Sequence, residues 1–234
     1  MIGAWRALRR FWERDRGLSV FLGLLVVVLF ILPPLVEPEG SGRGLVIDVG
    51  LSVLLLAGVA TLSTHPAVRV PLFVLVVGAL AVRWGPFSAP ATAVGALVTV
   101  VAMAFLVLVQ TFRAGPVNVH RIQGAVAAYL LLGLAWALAY ETVALLAAGA
   151  FSGAGLAGPD RQRFVYFSFV TLTTVGYGDV TPVHPVARSL AVAEALTGQL
   201  YPAILLARLV SLATGSEPAG PGRGAPQAGP GGHS

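Results

Sequence analysis

The chain has 234 residues, 56% of them hydrophobic and only 11% charged, with a mean hydropathy of +0.84. A soluble domain carries about 25% charged residues, so an ordinary water-soluble fold is excluded and a chain that crosses a membrane several times is indicated. The net charge of +5 comes from Arg alone, because Lys is absent, and it reads as a marker of membrane orientation and not of nucleic-acid binding. Cys is also absent, which excludes a disulfide framework, a thiolate metal site and a Cys nucleophile.

In chain order, residues 1–17 form a basic cytoplasmic segment. Trp5, Leu8 and Phe11 or Trp12 fall on one face of a helix, with Arg6, Arg9 and Arg10 elsewhere. The pattern suits either a short helix lying on an anionic lipid surface or a charged flank that sets orientation. The apolar run Leu18–Leu32 has the length of a signal-peptide core, but Pro33-Pro34 follows it where an Ala-x-Ala cleavage site is needed, so a retained first span is expected. Leu45–Ser63 is interrupted only by Asp48. Val70–Val82 is short and needs residues 67–84 to cross. Ala89–Gln110 has no charge, Ile122–Ala148 carries Glu141 near its far end, and Val186–Leu212 carries Arg188, Glu194 and Arg208. Six spans of about 20 residues result.

The predicted layout is a four-span membrane domain at 18–113, a two-span module at 116–213 and a Gly- and Pro-rich cytoplasmic tail at 214–234, too poor in apolar residues to pack. Arg placement puts both termini in the cytoplasm: the N-terminal cluster, Arg69, Arg113 and Arg121 lie on that side.

The connection between the fifth and sixth spans is the most specific part of the chain. Pro159 and Asp160 suit a helix start, and the apolar stretch Phe164–Leu172 is too short to span, which predicts a re-entrant helix. It ends in Thr173-Thr174-Val175-Gly176-Tyr177-Gly178-Asp179. This string, with a short helix before it and an apolar span after it, closely resembles the potassium-channel signature. The chain as a whole is similar to prokaryotic six-transmembrane potassium channels of the type without a voltage sensor.

A dehydrated cation needs several oxygen ligands, and consecutive backbone carbonyls provide them if all point inward. Gly176 and Gly178 reach positive φ cheaply, which breaks the alternation of an extended strand. The carbonyls of Thr174, Val175, Gly176 and Tyr177, with the Thr174 hydroxyl, are then expected to form stacked oxygen rings. Val175 and Tyr177 face away into a protein wall, for which Tyr166 and Phe167 are natural partners. The pore helix ends at Thr173 with its negative dipole end toward the midplane, favouring a cation below.

The resemblance implies an all-α membrane fold, a homotetramer, Gly178 as part of the filter, Thr173 and Asp179 as its supports, and K+ as the bound ion with no other cofactor. It implies that Glu141 braces the outer pore by accepting backbone N–H bonds, and that Gly198 is the hinge of the last helix. Pro202 adds a second cause for a bend there. Glu194 and Gln199 are polar groups at membrane depth, candidates for gating or for a helix–helix hydrogen bond.

A voltage sensor needs several basic residues at every third position in the fourth span, and Ala89–Gln110 has none. The residues after Leu212 are too few for a cyclic-nucleotide or calcium-binding domain, so gating is expected to follow the membrane, pH, pore ions or a separate partner. The expected function is passive, potassium-selective conduction across the plasma membrane. The competing readings are a non-conducting sensor or scaffold with a pore-like fold and a weakly selective cation channel. No Gly-x-Ser-x-Gly elbow surrounds Ser168, so no enzyme is expected. His184, between two prolines, is expected at the surface, where it would respond to outside pH.

Overall fold

The computed structural model describes residues 17–36, 43–62, 66–112, 119–153 and 161–214. The N-terminal Arg cluster, the Gly-rich stretch at 154–160 and the tail beyond Thr214, on which sequence expectations fall, lie outside the described residues. The described chain forms helices α1 (Gly17–Leu35), α2 (Arg43–Leu62), α3 (Pro66–Trp84), α4 (Ala89–Thr111) and α5 (Val119–Leu146), then strand β1 (Phe151–Gly153), the short helix α6 (Arg161–Leu172), strand β2 (Val180–Pro182) and helix α7 (Pro185–Thr214).

These segments are rich in Val and Thr, residues that favour strands in water. In a bilayer each backbone polar group must be satisfied within its own segment, and helices do this. The hydroxyls follow the same rule. Thr61, Thr99, Thr142 and Thr197 each donate to the carbonyl four residues earlier, at 2.7–2.8 Å. Helix α1 runs through Pro33-Pro34, which supply no amide donors. It widens into a π-turn at Val27–Ile31, so that the Leu32 N–H donates to the carbonyl of Val27.

Among the described residues four helices are long and apolar enough to cross a membrane: α1, α4, and the parts of α5 and α7 at Arg121–Leu146 and Pro185–Arg208. The sequence count of six spans needs two more. Of these, α2 has a shorter apolar part, Leu45–Thr61, and α3 contains Pro71 and carries Arg83 in its last turn.

Neighbouring helices approach through small residues, as membrane helices do where no aqueous hydrophobic effect drives them together. Gly58 of α2 packs against Phe21 of α1 and Met103 of α4, while Gly50 meets Val28 and Leu32. Ala125, Ala127, Ala128 and Ala137 of α5 are all buried. The main core, around Phe21, Leu25, Leu54, Met103, Leu131 and Leu138, joins α1, α2 and α4 to α5.

A second, aromatic core sits beneath the α6 connection. Tyr140 meets Phe167 edge-on with ring centroids 4.9 Å apart, and Phe151 meets Phe164 at 5.0 Å. Such pairs contribute about 0.5–1.5 kcal/mol each beyond their burial. Strands β1 and β2 pair antiparallel, Phe151 opposite Pro182, Ser152 opposite Thr181 and Gly153 opposite Val180. This pairing closes the connection at its base.

Candidate functional site

Helix α6 buries Phe164, Phe167, Ser168 and Leu172, a stripe at helical spacing, and leaves Tyr166 on the opposite face. The helix then unwinds over its last carbonyls. The Thr173 N–H donates to Phe169 O, and the Thr173 hydroxyl donates to the same oxygen at 2.6 Å. The Val175 and Gly176 N–H groups both donate to Val170 O, at 2.9 and 3.3 Å. Orphan carbonyls at the helix end are thereby satisfied by the first residues of the following segment.

Beyond the helix the backbone alternates in hand. Thr174, Gly176 and Gly178 have φ of 60°, 60° and 79°, whereas Val175 and Tyr177 remain on the negative side. The two glycines reach this region as expected. Thr174 does so against a steric cost of about 1–2 kcal/mol, which the hydrogen bonds on either side of it offset. Alternating hand turns successive peptide planes the same way, so that carbonyls along one edge share a direction.

Residues Thr173–Asp179 are exposed in the single chain, Val175 at 52% and Tyr177 at 72%. The expected wall for Tyr177 differs in detail. Phe167 turns into the aromatic core against Tyr140 and Phe151, because the helical period puts it on the buried stripe. Tyr166 is 41% exposed and is hydrogen-bonded to Asp179 instead, and this bond raises its phenol above the ordinary value.

Two helices hold the end of α6 from behind, through three contacts. Gly198 of α7 crosses it so closely that a β-carbon there would stand 1.8 Å from the Leu172 carbonyl oxygen. Tyr129 of α5 donates to that same oxygen at 3.4 Å, and the Gln199 amide nitrogen donates to the Thr174 hydroxyl at 3.4 Å. Helix α7 runs unbroken from Pro185 to Thr214 through both Gly198 and Pro202, so in this structure Gly198 is a packing point.

Glu194 is fully buried behind α6. The Tyr140 hydroxyl donates to one carboxyl oxygen at 2.5 Å, and Ser168 Oγ lies 2.5 Å from the other while donating to Gly133 O at 2.7 Å. The structure therefore places Glu194 in a hydrogen-bonded junction of outer helix, short helix and last helix. Among the described residues the Glu141 carboxylate takes the Arg161 side chain, from Nε at 2.8 Å and Nη2 at 3.1 Å. A guanidinium at the first residue of α6 out-competes amides for a fork-shaped acceptor. His184 is exposed, and its Nδ1 accepts from the Val186 N–H at 3.3 Å.

Sequence reasoning did not single out Tyr140, Ser168 or the β1 strand as parts of this site. Tyr140 suits the outer membrane interface by residue type, and Ser168 enters the sequence reading only as a nucleophile that lacks its elbow. Among the described residues no group of three or more His, Asp or Glu side chains converges to hold a metal ion.

Residues 126–214 match a family described as "Ion channel". The chain is 38% identical over 87 residues to Protein LctB of Bacillus caldotenax and 52% identical over 46 residues to Protein LctB of Geobacillus stearothermophilus. It is 37% identical over 84 residues to two pore potassium channel c of Oryza sativa subsp. japonica. These stretches cover 35%, 20% and 36% of the present chain, and 64%, 34% and 17% of the respective relatives. The chain thus spans less than two thirds of each relative's length. No solved structure matches it. The matched stretch contains the site and is similar to an ion-channel domain, and the apolar helices suit a membrane protein.

Proposed function

We propose that four copies of this chain close a potassium-selective pore in the plasma membrane, each supplying one filter strand. The observation that carries this reading is the alternating hand of Thr174–Gly178, which supports stacked rings of carbonyl oxygen from Thr174, Val175, Gly176 and Tyr177, with the Thr174 hydroxyl at the inner end and Gly178 at the outer. Four strands are needed to surround an ion, and one chain holds one copy of the motif, so the ring is a homotetramer. The exposed apolar side chains of Val192, Leu196 and Leu200 on α7, with Val175 and Tyr177, suit coverage by neighbouring copies.

On this reading all six long helices cross the membrane, α6 is re-entrant between the last two, and both termini are cytoplasmic. Asp179 sits at the outer mouth, held by Tyr166, and attracts cations. Dehydrated ions pass by mutual repulsion between adjacent sites, passively and without a cofactor. The charge-free fourth span supplies no gating charge, so conductance is not steeply voltage-dependent. Bending of α7 at Gly198 and Pro202 would require the contact of Gly198 with α6 to loosen. The N-terminal Arg cluster meets anionic lipid.

The test is ion flux from proteoliposomes containing the purified protein. Potassium flux exceeding sodium flux and abolished by Gly176→Ser supports the proposal. Equal fluxes of the two ions would make it a weakly selective channel. Absence of flux at any voltage, pH or lipid composition would replace it with a non-conducting scaffold.

A further inference from the structure

A cation at the first residue of a helix opposes the helix dipole, so Arg161 at the start of α6 needs carboxylates nearby. It has two. Glu141 of α5 takes Nε and Nη2, and Asp48 of α2 takes Nη1 at 2.9 Å. The second oxygen of Asp48 is paired with Arg83 in the last turn of α3. Two carboxylates and two guanidiniums therefore form one electroneutral chain across four helices. The side chains of Arg161, Glu141 and Asp48 are only 12%, 11% and 15% exposed.

Glu141 and Arg161 lie within the stretch that matches the ion-channel family, residues 126–214, but Asp48 and Arg83 lie outside it. The chain of charges is thus a link from the first helices to the pore helix, made across 113 residues of sequence. Its far end is mechanically continuous with the filter. Arg161 begins α6, the helix is twelve residues long, and Thr174 stands two residues beyond its end in its costly left-handed conformation. A tilt or slide of the helix at Arg161 is passed to the carbonyls of Val170 and Phe169, which anchor the amides of Thr173, Val175 and Gly176.

We propose that Asp48 is a positioning residue for the selectivity filter, through which the first helices of the chain hold α6 at the tilt that keeps the oxygen rings in register. The inference rests on the channel reading above. Asp48 touches no ion. It acts through Arg161: Glu141 ties that rigid guanidinium to α5 by two of its nitrogens, and only the third, on Asp48, ties it to the first helices. Arg83 completes the pair but reaches no part of the filter.

The experiment records single-channel and macroscopic currents from the purified full-length protein in planar bilayers, for wild type, Asp48→Asn, Arg83→Gln and the double variant. Asp48→Asn keeps the shape and removes the charge. The expected result is an assembled channel whose potassium-to-sodium permeability ratio falls, or whose current decay quickens, by about fivefold or more, the size of one coupling between distant sites. If Asp48 serves only to neutralise Arg83, removing both charges together will restore wild-type behaviour; the positioning role requires that the double variant stay defective. Wild-type selectivity and decay in Asp48→Asn, or rescue by Arg83→Gln, overturns the inference. Should Asp48→Asn fail to assemble, Asp48→Glu carries the test, since it keeps the charge and lengthens the reach by one methylene: altered decay supports positioning, and unchanged decay refutes it. A wild-type protein that passes no ions is the separate result that removes the channel reading and this inference with it.

Discussion

Substitution of Gly198 by Ala separates a packing role from a hinge role. In the folded chain the new methyl group would stand 1.8 Å from the Leu172 carbonyl oxygen and 2.7 Å from its carbonyl carbon. Real β-carbon contacts essentially never come closer than 3.0 Å, so α6 and α7 must part by about 1.2 Å. Neither partner can give way by rotating a side chain, because the obstacle is backbone. Overpacking of this kind costs about 1–3 kcal/mol, which is roughly one to two powers of ten in the equilibrium between the packed and parted arrangements. Leu172 is two residues before Thr174, so the displacement reaches the filter as well as the helix contact. The expected outcome is a lower melting temperature in detergent together with reduced potassium-over-sodium selectivity in liposome flux. Gly78→Ala is the matched control: nothing lies within 4 Å of its added methyl, and helix propensity alone predicts a gain of about 0.5–1 kcal/mol. If Gly198→Ala kept wild-type melting and selectivity and altered only how often the channel opens, the packing argument would be wrong and Gly198 would act as a hinge.

Removing the Tyr140 hydroxyl by Tyr140→Phe keeps the ring contacts with Phe151 and Phe167 but deletes a 2.5 Å hydrogen bond to buried Glu194. The substitution leaves that buried carboxyl oxygen without its partner, at a cost of about 1–3 kcal/mol, so the melting temperature should fall clearly, and unchanged melting would show that the hydroxyl does not hold the junction together. Replacing potassium by N-methylglucamine should lower the stability of the assembled protein, by about 2.7 kcal/mol if the ion had been present at a hundredfold over its dissociation constant. Equal melting in the two cations would argue that the filter oxygens hold no ion at rest.

Much of the site was readable because its signals are local. Positive φ at Gly176 and Gly178 follows from residue type alone, and the short length of Phe164–Leu172 announces a helix that does not cross. Thr174 was not readable as left-handed, since nothing about a β-branched residue announces it; the amide bonds to Val170 and Thr171 impose it. The partners of Glu194 and Glu141 were also hidden. Ser168 and Tyr140 come together with Glu194 only through the crossing of three helices, and Arg161 meets Asp48 from the far end of the chain. Periodicity tells which face of a helix is buried and nothing about what it is buried against. The β1 strand, Phe151-Ser-Gly153, was read as part of a Gly- and Ala-rich loop because three residues show no alternation, and its pairing becomes visible only once Val180–Pro182 lies beside it.

That small pairing has an evolutionary side. Because Gly153 and Val180 face each other across one ladder, and the Ala150 carbonyl accepts from both Val183 and His184, the chain leaves for the pore helix and returns from the filter at nearly the same point. The segment between them therefore has adjacent ends, and its length is uncoupled from the spacing of α5 and α7. A lineage could lengthen it on its outer side, provided the Gly198 contact and the Arg161 fork that aim α6 were kept.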